Sequence, residues 1–215
     1  MRKTDIKKIH GAAALAVAVP IGAVGAALMK HGSFGLTPFY SVSLALFEAT
    51  KRFTMGTWNA VFQIVLILLL ILILRKLKLR YLLSFAVAAV SSIILDGANA
   101  VCARLPETIA VRIICYFAGF LIMTLGIALM AECKLPVAPM NLFVRELAEE
   151  WDKPFRRVKL AFDVGCLVLS ITVSLCFAGQ LSRGIGPGTV ISAFLTGPFS
   201  GFYIARLRKR FQFYI

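Results

Sequence analysis

The sequence predicts an all-α membrane protein: six transmembrane helices arranged as two inverted three-helix repeats, each with a short interfacial or re-entrant helix. Three observations predict it. Sixty per cent of the 215 residues are hydrophobic and the mean hydropathy is +0.86, more apolar sequence than a soluble core of this size can bury. The surplus falls in six runs near the roughly 20 residues that cross a hydrocarbon layer about 30 Å thick. The chain also matches itself at a nearly constant offset.

The first run, 9–29, follows a basic start (Arg2, Lys3, Lys7, Lys8). It is longer than the core of a signal peptide, and apolar sequence continues past Pro20, so it reads as a retained helix. The second, 57–74, includes the stretch Val61 to Leu74, whose one polar residue is Gln63. The others are 81–103, 108–131, 159–178 and 186–205. The chain therefore reads as a single transmembrane domain, 1–215, with repeat 1 at about 9–103, repeat 2 at about 108–205, and basic tails.

Between the first and second spans of each unit lies a shorter segment opened by proline. Pro38 to Ala49 is mostly apolar, with Glu48 its one charge. It is too short to cross, and its sequence is compatible with a re-entrant or an interfacial helix. Pro139 to Trp151 carries Arg145, Glu146, Glu149 and Glu150 beside Leu142, Phe143 and Leu147, the pattern of an amphipathic helix lying in the interface.

The net charge of +14 would suit a nucleic-acid binder, but the basic residues sit in short links beside apolar spans. If the N-terminus lies on one side, that side receives 18 of the 24 Lys and Arg: the N-terminal cluster, Arg75 to Arg80, Lys134 to Lys159, and Arg206 to Arg210. The other side receives Lys30, Lys51, Arg52, Arg104, Arg112 and Arg183. The positive-inside rule then places both termini in the cytoplasm, with the basic links against anionic head groups.

The repeat emerges from sliding the chain along itself. Gly25-Ala-Ala-Leu-Met29 matches Gly126-Ile-Ala-Leu-Met130 at an offset of 101, and Pro38 falls on Pro139. After a one-residue slip, Val61-Phe62-Gln63-Ile64 lies on Ala161-Phe162-Asp163-Val164, and Leu95-Asp96-Gly97 on Leu195-Thr196-Gly197. Three crossings per unit is odd, so the second copy enters from the opposite face, a plan common in secondary transporters.

Gly35-Leu-Thr-Pro38 after the first span, Gly56-Thr57-Trp58-Asn59 opening the second, and Gly184-Ile-Gly186-Pro-Gly188-Thr189 opening the sixth, followed by Gly197, resemble the YczE/YyaS/YitT group of bacterial membrane proteins, the YczE side most closely. The loop of that group continues Pro-Trp-Asp, where this chain has Phe39-Tyr40 and Met140-Asn141. The resemblance implies a multi-pass protein of the bacterial plasma membrane and a fold; it supplies no substrate.

Polar residues within spans carry the sharpest functional signal, because an uncompensated charge at the bilayer centre costs at least about 2.5–3.5 kcal/mol. Asn59, Gln63, Asp96, Arg112, Asp163 and Thr189 are the candidate path or substrate-binding residues. Gln63 and Asp163 are repeat equivalents, and would flank the axis between the copies. Asp96 and Arg112 have an alternative role as an ion pair within one hairpin. Gly35, Pro38, Gly56, Pro139, Gly184, Gly186, Pro187, Gly188 and Pro198 are motif or hinge positions, with the glycines before Pro187 an unwound helix entry facing a cavity.

Five dispersed cysteines and two histidines offer no metal-ligand spacing and no nucleophile–base set. The reading is therefore no enzyme, no metal and no cofactor. The function that fits best is a transporter or permease-like protein for a small solute. The alternatives are a membrane factor that supports a partner protein and a substrate-capturing subunit of an ATP-driven transporter. The bilayer is the sure partner; a homo-oligomer or protein partner stays open, and nucleic acid is excluded.

Overall fold

The computed structural model describes residues 7–76, 78–133 and 138–214; Arg2, Lys3 and Lys134 of the basic clusters lie outside them. Six helices are long and apolar enough to cross a membrane: α1 (Gly11–Gly32), α3 (Met55–Leu74), α4 (Leu79–Cys102), α5 (Ile109–Glu132), α7 (Phe155–Val173, extended by a π-helical turn, Ser174–Ala178) and α8 (Pro187–Arg210). Two shorter helices follow α1 and α5: α2 (Pro38–Thr50) and α6 (Pro139–Glu150). Both begin on the predicted prolines, which need no hydrogen-bond acceptor in a first helical turn.

Several ends differ from expectation for local reasons. Helix α3 starts at Met55 because the Thr54 hydroxyl caps it, accepting from the Thr57 amide at 3.0 Å. Helix α7 starts at Phe155, directly after Pro154, four residues before the expected start, which draws Lys159 inside the helix. Helix α8 runs on to Arg210, its last turn carrying Arg208, Lys209 and Arg210 against the negative end of the helix dipole.

Bundle polarity is inverted relative to a soluble protein. On α4 the buried stripe is Tyr81, Ser84, Ala88, Ser91, Ser92 and Leu95, while Leu79, Leu82, Leu83, Val90 and Ile93 are exposed. Leucine gains nothing by leaving lipid for protein, so small and polar side chains face inward, where they pack closely and find partners.

Helices α1 and α5 form the centre. The small-residue stripe Ala14, Ala18, Gly22 and Ala26 is buried, and α5 answers with Gly119 and Gly126. A Cβ on Gly25 would lie 2.6 Å from the Met123 amide nitrogen, and one on Gly119 would lie 2.7 Å from the Gly25 carbonyl oxygen. Around this pair, α1 also meets α4 and α5 also meets α8; α3 packs on α4, α7 on α8, α2 on α7 and α3, and α6 on α3 and α7.

One face of the bundle gathers the ends of α3, α5, α6 and α8, joined by Lys76–Glu150 at 3.0 Å and Arg208–Glu132 at 2.8 Å. Both chain ends lie together, because β1 (Lys7–His10) pairs in parallel with β2 (Phe211–Tyr214). The opposite face carries the link from α1 to α2 and the link from α7 to α8, where the Arg183 amide donates to Glu48 at 3.1 Å.

Pro139 to Trp151, expected as an amphipathic helix, packs against the protein over most of its length. Pro139, Met140, Asn141, Leu142, Val144, Glu146, Leu147 and Ala148 are buried, so α6 is tucked into the bundle. Its apparent polar face is consumed internally. Glu146, 3% exposed, accepts from Lys78 Nζ at 2.8 Å and Tyr81 Oη at 3.0 Å, and meets Arg80 at 2.5 Å. The α2 helix is likewise interior over Pro38–Ala45 except for the partly exposed Tyr40.

Candidate functional site

A buried polar layer crosses the bundle. Asn59 and Gln63, one turn apart on α3, are 1% and 2% exposed. Asn59 Nδ2 donates to Ser92 Oγ at 3.0 Å and Gln63 Nε2 to Ser91 Oγ at 3.3 Å. On α7, one turn holds Lys159 and Asp163, 2% and 1% exposed, with Lys159 Nζ donating to Asp163 Oδ1 at 2.5 Å. At the sequence offset of 100, Lys159 falls on Asn59 and Asp163 on Gln63. Four acceptors of this interior, Asn59 Oδ1, Gln63 Oε1, Asn141 Oδ1 and Asp163 Oδ2, have no hydrogen-bond partner among the described residues; a buried acceptor of this kind is ordinarily met by a donor such as water.

A cavity of about 30 Å³ lies against Gln63 and Lys159; its wall is mostly apolar (Val19, Phe39, Met123, Ile127, Met130, Met140), Ser91, Thr196, Thr37, Tyr40 and Asn141 also reach it, and Asn59 and Asp163 lie outside its lining. That is room for about one water molecule. Burial pushes the Tyr40 phenol up to about 12, so at neutral pH it is uncharged. Lys159, tied to Asp163, is then the charged side chain on the cavity wall.

Two larger hollows open on opposite faces. The one beside the chain ends is about 610 Å³ and carries Arg145, Lys153, Arg156 and Arg208 against Glu132 and Glu149; it shares Asn141 with the small cavity. The other is about 390 Å³ and carries Lys30, Arg112 and Arg183 against Glu48 and Glu107.

Other candidates from the sequence lie elsewhere. Asp96 does not pair with Arg112. Its carboxylate accepts from Thr54 Oγ1 at 2.6 Å and from the Gly56 amide at 2.8 Å, tying α4 to the positive N-terminal end of α3. Gly56 allows this, since a Cβ there would collide with the Asp96 carboxylate and the Ser92 carbonyl. Arg112 reaches Glu107 at 3.5 Å on the rim of the 390 Å³ hollow, with Glu107 largely in solvent and Arg112 mostly covered.

Thr189 and the glycine-rich entry of α8 form a clasp: Gly184 does line the 390 Å³ hollow, with Gly35, but the backbone groups expected to be free there are hydrogen-bonded. The Leu36 amide donates to the Gly184 carbonyl and the Gly188 amide to the Phe34 carbonyl, each at 2.9 Å. Ser41 and Thr189 hydroxyls also donate to the Gly184 carbonyl, at 3.0 and 2.8 Å. Gly35, at φ +118, and Gly186 permit the close approach. Pro198 lines the 610 Å³ hollow beside Gly197 and Gly201, and α8 continues through it.

Lys159, Asn141, Ser91, Ser92 and Thr196 are the members of the polar layer that sequence reasoning missed. A signal for Lys159 existed: it lies four residues before Asp163 and at the repeat position of Asn59. Nothing local distinguished the two serines or Thr196 from packing residues.

No curated protein and no solved structure matches the chain. The sequence from residue 9 to residue 205 matches the profile of DUF6198, a family of unknown function, and this polytopic membrane protein therefore belongs to that family.

Proposed function

We propose that the protein is a transporter or permease-like carrier for a small solute, with the path running between two inverted three-helix repeats through the layer of Asn59, Gln63, Lys159 and Asp163. The observation that supports this reading is the set of hollows: one on each face, and in the interior a small, mostly apolar cavity that polar side chains of both halves reach. The helix neighbours support the repeat. Exchanging α1 with α5, α2 with α6, α3 with α7 and α4 with α8 leaves α1–α5 in place and converts the larger packing pairs into one another: α1–α4 into α5–α8, α2–α7 into α6–α3, and α3–α4 into α7–α8. In this reading the site lies near the pseudo-two-fold axis, where inverted-repeat carriers bind. Kinship with the YczE group is part of this reading and rests on the Gly35–Pro38, Gly56–Asn59 and Gly184–Thr189 motifs.

The face bearing the chain ends is the cytoplasmic one in this reading, from the split of 18 basic residues against 6. Reporters fused after Ile215 and within the link at Lys51 should report opposite sides of the bacterial plasma membrane; reporters on one side would remove the topology.

The path is tested by cysteine labelling. In a background with the native cysteines replaced, Gln63→Cys and Asn141→Cys should react with a membrane-impermeant thiol reagent from at least one side. Leu72→Cys, on the lipid-facing surface (72% exposed), should not. Protection of both interior cysteines from both sides would leave a sealed bundle, favouring a membrane factor that supports a partner protein.

A further inference from the structure

We infer that the site between the repeats takes a small monovalent anion together with a proton, the anion on the Lys159 ammonium and the proton on the Asp163 carboxylate. This deepens the transporter reading and rests on it.

The first observation is an internal comparison. At the same repeat positions, Asn59 and Gln63 are buried as deeply as Lys159 and Asp163 and carry no charge. The bundle thus accommodates neutral amides at such a place, and a buried ion pair is a poor source of stability compared with uncharged groups of similar size. Its presence on one side of the layer calls for a role that amides cannot perform.

The second is charge balance. In a low-dielectric cavity a net charge is strongly disfavoured. The empty site is neutral, as ammonium plus carboxylate. Loading an anion alone leaves it negative; loading an anion and a proton leaves it neutral. Asp163 takes the proton, its Oδ1 releases Lys159 Nζ, and the ammonium turns to the anion. Unloading reverses both steps.

The surroundings agree. Cys166 on α7 is the titratable group beside both members of the pair, and Lys159 shares its cavity with Tyr40 of α2, which is titratable, and with the uncharged Asn141 of α6, Thr196 of α8 and Gln63 of α3. Lys159 is the charged group acting on Asp163. Cations outnumber carboxylates in both hollows, four to two by the chain ends and three to two on the other face, which raises the local concentration of anions at each mouth. A cation exchanged for a proton would also balance charge, but it would approach through two basic mouths.

The test uses the full chain in liposomes enclosing a pH-sensitive dye, with membrane potential clamped. Inward gradients of nitrate, chloride or lactate are applied in turn. At least one should acidify the lumen, faster at acidic than at neutral external pH. Asp163→Asn should abolish acidification, while that anion still raises the melting temperature of the purified protein, now independently of pH. Lys159→Asn combined with Asp163→Gln copies the Asn59/Gln63 pair and should abolish both effects. If the double variant does not fold, the pH dependence of the anion-induced melting shift in the unmodified protein decides alone: a shift that grows as pH falls supports the inference, and none overturns it. Lumen alkalinisation driven by potassium or guanidinium, with anions inert, overturns the anion and leaves the path standing. So does entry of an uncharged solute without a pH change. Failure of every solute to enter, with Gln63→Cys and Asn141→Cys unreactive, removes the path itself.

Discussion

A leucine at Gly25 should keep α1 from seating on α5 and leave a protein that melts far below its parent in detergent. The position has no room for even one carbon: a Cβ would sit 2.6 Å from the Met123 amide nitrogen and 2.8 Å from the Gly119 carbonyl oxygen. Overpacking usually costs about 1–3 kcal/mol, because side chains move aside. Here the obstacles are the Met123 amide, its Cβ and the Gly119 carbonyl of α5, none of which can swing aside, so relief requires separating the two helices, and the loss should reach or exceed the top of that range. Gly22→Ala is the control on the same stripe. Its added carbon would meet only the flexible end of Met130, at 3.5 Å, and its melting temperature should stay near that of the parent. Equal melting of Gly25→Leu and parent would mean that the helices do not approach this closely.

Glu146→Ala should be the next most damaging single change. The carboxylate sits 2% exposed between Lys78, Arg80 and Tyr81, and removing it leaves two cations and a hydroxyl facing each other at the base of α4. Breaking a fully buried pair costs about 3–5 kcal/mol. Lys78 and Arg80 are 38% and 35% exposed and regain some water, so about 1–3 kcal/mol is expected. Burial by itself would raise the Glu146 carboxyl, but the Lys78 and Tyr81 hydrogen bonds and the Arg80 charge outweigh it and hold the group below its ordinary 4.5. A depressed folded value means that the contribution is complete above the unfolded value and is lost as pH falls through the folded one. The melting temperature of the parent should thus drop on acidification below about 4.5, and Glu146→Gln should flatten that part of the profile.

The spans were legible because length and hydropathy suffice to identify them: each crossing helix satisfies its own backbone and needs no partner to declare itself. The two half-helices were legible in extent but not in place. Pro139–Glu150 carries four ionisable side chains at helical spacing, and nothing local says that Glu146 turns inward; its partners Lys78, Arg80 and Tyr81 lie some 65 residues earlier. Asp163 and Gln63 stood out as polar residues in apolar runs. Lys159 did not, because it was read as the last residue of a basic link, and only the helix start at Phe155 brings it inside. Asp96 and Arg112 misled for the converse reason. Both are span residues by position, yet one caps a neighbouring helix end and the other stays at the rim.

The close contacts of Gly25 with Gly119 and of Gly22 with Gly126 limit how the bundle can move. Where two helices meet backbone to backbone, no layer of side chains remains to switch rotamer or slide, so the α1–α5 pair acts as an axle of fixed gauge. Rearrangement is left to the parts hung on it. The half-helices α2 and α6 and their neighbours α7 and α3 meet through side chains such as Phe39, Phe62, Phe143 and Phe162, which can roll past one another. For the carrier proposed above, opening of one mouth and closing of the other would be a rocking of these outer elements about a stationary centre, and distances measured across α1 and α5 should not change with the solute bound.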